Sequence, residues 1–161
     1  DNSAVRISMV QLPGVNTPQF EWCRTTIHRH PRPVGTVYQP EVAARAIVFA
    51  ATHDRREIYV GLPSAMTIRL NKAFPGLLDR LMARRAYEQQ FTDQAIPADR
   101  PDNLFHSVAT PYRAHGSFEQ RAHASSPQLW TSLHRDLVGV VLAAGALSAL
   151  ALSLRPRRRP F

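Results

Sequence analysis

A strand–helix–strand succession near the beginning of the chain constrains its fold more than any other feature. Apolar and polar side chains alternate in residues 5–9 (VRISM), which is the period of a half-buried strand, and Val10 and Leu12 extend the apolar character. A helix with a wide apolar stripe is predicted from Pro40, and residues 57–60 (EIYV) predict a second strand. Two strands joined through a helix favour a parallel pair with a right-handed crossover. We therefore expect an α/β fold in which this helix is largely buried.

Weaker patterns predict the remaining elements. A short helix is expected within residues 20–28, and Ser64 is a candidate cap for a helix that ends near Ala73. Pro75 opens a further helix. From Thr92 to Pro127, prolines interrupt a polar sequence, which predicts an irregular linker. The chain is thus expected to comprise a domain portion (1–90), a Pro-rich polar extension (91–130) and a hydrophobic helix with an Arg-rich tail (131–161).

Two strands and one helix leave sheet edges that need partners, and a resemblance indicates what those partners are. Residues 5–18 (VRISMVQLPGVNTP) resemble the sixth strand and following turn of the short-chain dehydrogenase/reductase family. Residues 38–47 (YQPEVAARAI) are similar to that family's next helix, and residues 55–61 (RREIYVG) to its last strand. The order and spacing also fit the subset with a long C-terminal extension. The resemblance implies the C-terminal fragment of a Rossmann-type doubly wound parallel sheet.

The same resemblance implies a cofactor-binding turn. In that family the turn after the sixth strand lies at the carboxyl end of the sheet, where NAD or NADP binds. The backbone near Val15 would face the nicotinamide carboxamide, and the Thr17 hydroxyl would bond the carboxamide or the pyrophosphate. The Pro-Gly pair is displaced by one position from the family pattern. The candidates are therefore Val15, Asn16 and Thr17, ahead of Pro13 and Gly14.

A substrate-covering loop is expected between residues 19 and 37. The resemblance implies a small-molecule carbonyl or alcohol substrate there, lined by Phe20, Trp22 and Tyr38. Cys23, the one cysteine, is interpreted as loop packing rather than as a nucleophile. His28 and His30 have no third ligand at a suitable spacing, so no metal site is predicted.

The residues that would perform catalysis in this family are missing from the chain. None of the seven glycines forms the phosphate loop T-G-x-x-x-G-x-G. The catalytic pair Y-x-x-x-K is also missing, because Ile68 stands four residues before Lys72, the only lysine. No catalytic residue is predicted here. We expect the C-terminal part of an NAD(P)-dependent short-chain oxidoreductase, which transfers hydride between nicotinamide and a carbonyl or alcohol and is inactive as this chain alone.

An uncharged run of 18 residues begins at Leu137 and ends at Leu154. As a helix it would span about 27 Å, close to the roughly 30 Å hydrocarbon core of a bilayer. Trp130 and the four tail arginines are typical membrane flanks, so the run predicts contact with membrane lipid, the alternative being a helix docked on the domain. Arginines after the helix favour a cytoplasmic C-terminus, whereas a domain that uses NAD(P)H is itself expected to be cytoplasmic. A shallow or re-entrant placement would reconcile the two.

Charge argues against a nucleic-acid partner. The net charge is +8, and four of these charges belong to the last seven residues, Arg155, Arg157, Arg158 and Arg159. The remaining +4 is not arranged as a basic stripe interleaved with aromatic residues. The alternative to an oxidoreductase is a membrane-tethered, non-catalytic interaction protein. The substrate, the choice between NAD and NADP, and the oligomeric state stay open.

Overall fold

The structure is a computed structural model that describes residues 3–109 and 112–153. The helices are α1 Gln19–Trp22, α2 Pro40–Thr52, α3 Leu62–Ala73, α4 Pro75–Gln89, α5 Pro127–Leu133 and α6 Arg135–Ser153. The strands are β1 Met9–Gln11, β2 Gly14–Val15, β3 Arg29–Pro31, β4 Val37–Tyr38, β5 Glu57–Tyr59, β6 Phe91–Ala95 and β7 Ala122–His123. A single 3₁₀ turn, Glu119–Arg121, precedes β7. The chain has a mixed α/β fold with parallel strand pairs and an apolar helix at its C-terminal side.

The predicted parallel pair is confirmed. β1 and β5 lie side by side and run in the same direction, with Met9 opposite Glu57, and α2 connects them in the sequence and packs against β1. The paired strand β1 covers only Met9–Gln11 and is shorter than the predicted strand, residues 5–12. Val5 and Ile7 are 77% and 86% exposed, because β5 is too short to pair with them.

The core lies between α2 and the β1–β5 pair. Val42 and Ala46 are one helical turn apart, so both face Ile58 and Val60, and all four side chains are at most 1% exposed. Tyr38 of β4 and Leu129 of α5 complete the cluster. We call these six residues the core cluster.

The opposite face of α2 departs from the prediction of a largely buried helix. Ile47 and Val48 are 50% and 64% exposed. The prediction was wrong for this face, because the buried residues of α2 form a single narrow stripe, Val42, Ala43 and Ala46.

A second sheet holds β4 between β2 and β7, and both pairings are parallel. Val37 lies opposite Gly14 on one side and opposite Ala122 on the other. The third sheet is an antiparallel pair of β3 and β6, with Pro31 opposite Phe91.

The prediction of an irregular linker from Thr92 to Pro127 is therefore wrong in part. The segment supplies most of β6 and all of β7. Main-chain hydrogen bonds hold these short strands, and such bonds leave no apolar period in the sequence. Strands β6 and β7 join the middle part of the chain to the first part, and the three-part domain division stays a prediction.

The start of α3 also differs from the prediction. Gly61 precedes the helix with φ +84°, and Ser64, the predicted cap, lies within the helix. A Cβ at Gly61 would lie 2.8 Å from Cε2 of Tyr38. The helix begins earlier because glycine alone adopts this backbone conformation without strain and leaves room for the tyrosine ring.

The apolar run forms α6, 19 residues long, in which no residue is buried. Within the described residues it is the one helix that is long and apolar enough to cross a membrane. Leu154 and the four tail arginines lie outside the described residues. The structure does not bury this helix against the domain, which was the alternative prediction.

Candidate functional site

The candidate cofactor residues form a tight turn directly after β1, which we call the 13–17 turn. Strand β2 is part of it and pairs with β4, so that Val15 lies opposite Tyr38. The Asn16 N–H donates to the Tyr38 carbonyl at 2.9 Å, and the Thr17 N–H donates to the Val15 carbonyl at 2.9 Å. The turn is therefore held at the carboxyl end of β1 by main-chain bonds.

Asn16 is the most buried member of this turn. It is fully buried, and its Nδ2 donates to Oε1 of Gln39 at 3.1 Å and to Oε2 of Glu119 at 2.9 Å. Its Oδ1 accepts from the Phe118 N–H at 3.0 Å. A buried amide with all of these bonds in place is a structural anchor.

A groove of about 680 Å³ opens beside the turn. Its volume falls in the usual range for small-molecule sites. The turn residues that line it are Pro13, Gly14, Val15 and Thr17, and Phe20 of α1 joins them. The lining is largely apolar and also includes Leu12, Pro31, Pro33, Val34 and Phe91. Arg24 and Arg32 also contribute to the lining.

Gly14 lets two walls of this groove approach each other. A Cβ placed there would lie 2.9 Å from Cβ of Pro33 and 3.3 Å from the Val34 carbonyl oxygen. Any larger residue would push β2 away from the loop before β4.

Two predicted substrate-loop residues lie elsewhere. Tyr38 is 7% exposed, belongs to the core, and its ring centroid lies 5.6 Å from that of His123. Trp22 lines a separate small pocket with Val108 and Tyr112. Of the three predicted residues, the structure brings only Phe20 to the groove.

Sequence reasoning missed His115, which falls in the segment predicted as an irregular linker and whose side chain is 41% exposed yet contacts two carboxylates. Nε2 of His115 lies 2.7 Å from Oε1 of Glu41, and Nδ1 lies 3.2 Å from Oε2 of Glu119. Glu41 lies 74 positions before His115, so no local spacing in the sequence signalled that contact, whereas Glu119 follows His115 by four residues.

The electrostatics of this cluster follow from its hydrogen bonds. The bond to Glu41, with that to Glu119, raises the pKa of His115 above its ordinary value. The bond from His115 is the main cause that lowers the pKa of Glu41 and of Glu119. A histidine between two carboxylates is stabilised in its charged form.

The one lysine contacts a tyrosine at a different place. Nζ of Lys72 lies 3.2 Å from the hydroxyl of Tyr59, which donates to Glu57 at 2.6 Å. The Lys72 side chain is 61% exposed, and neither residue lines the groove. We assign this cluster to the surface of β5 and α3. Among the described residues, no group of three or more potential ligands could hold a metal ion.

Comparison with known proteins gives one informative match. The chain is 31% identical over 104 residues to a protein of Bacillus subtilis (strain 168) named as an uncharacterized oxidoreductase, YxnA. The match covers 64% of this chain and 28% of that protein. No family model matches the chain, and no solved structure matches it. The chain is thus similar to part of a protein named as a redox enzyme, and it spans less than a third of that relative's length.

Proposed function

We propose that this chain is the C-terminal portion of an NAD(P)-dependent short-chain oxidoreductase with a long C-terminal extension. The observation that carries the proposal is the parallel β1–β5 pair, with the 13–17 turn at the carboxyl end of β1. In open α/β sheets, ligands bind beyond the carboxyl ends of the strands. The similarity to a protein named as an oxidoreductase supports the redox class.

The residues of the turn fit a nicotinamide. Val15 and Thr17 line the groove, where a backbone amide or carbonyl and a hydroxyl can pair with a carboxamide. Asn16 has its side-chain bonds inside the protein. We therefore assign direct contact to Val15 and Thr17, with Pro13 and Gly14 shaping the wall, and we assign positioning of the turn to Asn16.

The proposed reaction is hydride transfer between nicotinamide and a carbonyl or alcohol carbon, with NAD or NADP supplying the hydride chemistry when bound. This chain's part is to bind and orient. Phe20 and Phe91 give the groove apolar sides that exclude water from a substrate with an apolar body. We propose that residues preceding this chain in the complete protein supply the phosphate loop, the Tyr/Lys pair and the remaining strands.

The first test measures cofactor use by the protein produced together with the residues encoded before Asp1. Thr17→Val removes the hydroxyl and keeps the shape, so the KM for the preferred cofactor should rise about three- to tenfold, the worth of one hydrogen bond. Thr67→Val, on the exposed side of α3, is the matched control and should leave KM unchanged.

Two outcomes would overturn the proposal. One is that the longer protein neither binds nor turns over NADH or NADPH, which would favour the non-catalytic interaction protein. The other is that the residues encoded before Asp1 contain neither the phosphate loop nor Y-x-x-x-K.

We further propose that α6 contacts membrane lipid, with the domain on the cytoplasmic side. The support is that α6 has a mean hydropathy of 1.9 in its most apolar window and is not buried. Leu142→Arg should abolish co-flotation of the chain with phospholipid vesicles, because a charge near the centre of a membrane helix costs about 3 kcal/mol. Leu77→Arg, at a 53% exposed position on α4 compared with 67% for Leu142, is the control and should still float. If both variants float like the parent chain, α6 does not insert.

A further inference from the structure

Residues 113–119, which we call the strap, cross behind the 13–17 turn and bind two helices. At its start, Nη2 of Arg113 donates to Oε1 of Glu21 in α1 at 2.6 Å. Two residues later, His115 bonds to Glu41 in the first turn of α2 at 2.7 Å. The strap therefore links α1 and α2 through two side-chain contacts.

The strap contacts the turn itself at Gly116 and Phe118. The Gly116 N–H donates to the Asn16 carbonyl at 3.2 Å, and the Phe118 N–H donates to Asn16 Oδ1 at 3.0 Å. A Cβ on Gly116 would lie 2.6 Å from the carbonyl carbon of Thr17. The close approach of the two backbones thus requires glycine at this position.

Phe118 also links the strap to the groove, because it contacts Phe20, one of the lining residues. Its ring packs edge-on against Phe20, with centroids 5.8 Å apart and planes at 89°. Because Phe20 lines the groove, a shift of the strap would move both the turn and this side of the groove.

His115 connects the charges that hold the strap. A neutral imidazole has one N–H and can donate to one carboxylate only, whereas the protonated ring donates to both Glu41 and Glu119. Glu119 in turn accepts from Asn16 at 2.9 Å. The other charged groups that face this cluster are Arg45 on α2 and the Arg113–Glu21 pair. Protonation of His115 should therefore alter the hydrogen bond that Glu119 accepts from the buried Asn16 amide.

We propose that the strap positions the 13–17 turn for its ligand, with Gly116 as the point of contact and His115 as the positioning residue that makes this support depend on pH. The proposal rests on the proposed function only for the identity of that ligand. It assigns a role to the C-terminal extension: the extension braces the cofactor turn through its hydrogen bonds to Asn16.

The direction of the pH effect follows from the bonds. His115 has a raised pKa, so its contribution is complete below the ordinary imidazole value and is lost as the pH rises through the folded value. Glu41 and Glu119 have lowered pKa values, so their contributions are complete above the ordinary carboxyl value and are lost as the pH falls through the folded values. Support of the turn is strongest between these limits.

The first experiment needs no cofactor and uses the 161-residue chain. By NMR, the Asn16 side-chain amide signals should shift with the same midpoint as the His115 ring, above about 6.5. His115→Gln should abolish that shift, and His106→Gln, at an exposed site in the same extension, should preserve it. An Asn16 amide that stays unchanged through the His115 titration would overturn the proposal.

A second experiment tests the point of contact by hydrogen exchange. Gly116→Ala should accelerate exchange of the Asn16 and Phe118 amides by about tenfold or more and leave that of Ile58 unchanged. Gly76→Ala, where a Cβ would meet nothing within 4 Å, is the control. Unchanged exchange at Asn16 in the first variant would overturn the proposal. If Gly116→Ala unfolds the chain, the proposal is tested by hydrogen exchange of the same two amides in the surface variant His115→Gln.

A third measurement links the strap to the reaction in the longer protein. The KM for the nicotinamide cofactor should rise as the pH passes the His115 midpoint, with little change in kcat, and His115→Gln should flatten this profile. A cofactor KM that keeps its pH dependence in His115→Gln overturns the positioning role of His115. If the longer protein binds no nicotinamide but the Asn16 amide still follows His115, the proposed function fails and the strap's control of the turn stands.

Discussion

Helices α2 and α6 are both rich in alanine and valine, yet they lie in opposite surroundings. On α2, Val42 and Ala46 are completely buried, while Glu41 and Arg45 occupy the exposed side. On α6, no residue is buried at all. The difference is the polar face, because a helix with one polar side can bury the other against a sheet. Helix α6 has little polar surface and buries no residue against the described fold, and this is the observation behind its proposed contact with lipid.

The largest expected difference between the two regions is the cost of removing an apolar side chain. Ile58→Ala empties space beneath α2 and should lower the free energy of unfolding by about 2–5 kcal/mol. Leu147→Ala in α6, where the leucine is 68% exposed, should change it by less than about 0.5 kcal/mol. Urea denaturation of the two variants in detergent-free buffer measures both values. Equal losses would mean that α6 packs against the domain in solution.

A smaller difference in stability is expected between two glycine substitutions, one before α3 and one within α6. Gly61→Ala introduces a Cβ at φ +84° that meets the Tyr38 ring, so we expect a loss of about 1–3 kcal/mol. Gly145→Ala in α6 meets nothing within 4 Å, and it should leave the core unaffected while favouring the helix by about 1 kcal/mol. Thermal unfolding monitored by the near-ultraviolet circular dichroism of the whole chain distinguishes them. A Gly61→Ala variant as stable as the parent would show that the α3 cap does not support the core.

The smallest expected effect concerns surface charge. Hydrogen bonds from Tyr59, the largest cause, and from Gln11 lower the pKa of Glu57. Its contribution to stability is therefore complete above the ordinary carboxyl value and is lost as the pH falls through the folded value. Glu57→Gln should flatten the acid side of a melting temperature–pH profile. Asp136→Asn removes a charge from α6, where the side chain is 97% exposed, and should leave that profile in place. Identical profiles for both variants would show that Glu57 of β5 does not contribute to the loss of stability at acid pH.

The predictability of the fold differed with the kind of interaction. The parallel pairing of β1 with β5 followed from apolar patterning, because burial leaves a period in the sequence. The strands β6 and β7 did not, because they are held by main-chain bonds and carry mostly polar, exposed residues. Ser64 was a plausible cap by residue type. Helix α3 instead begins before it, at Leu62, because Gly61 adopts a positive φ at the N-cap position.

The candidate site shows the same division. The resemblance implied cofactor contact at residues 13–17, and the structure places four of these five residues, all but Asn16, beside one groove. Tyr38 looked suitable for a substrate loop because it is aromatic and follows that loop, yet it belongs to the core. An aromatic residue near a loop does not reveal which way it points until its neighbours are known.

The sequence alone determined the β–α–β unit, the turn after its first strand and an uncharged helix with no polar face, since each is written in residues close together in the chain. Only the tertiary structure decided that residues 113–119 lie behind this turn, and that Asn16 bonds Glu119 and Phe118 across more than 100 positions. The physical reason is that hydrogen bonds and charge pairs between distant segments depend on how the backbone brings them together, and no periodicity in the chain records that meeting.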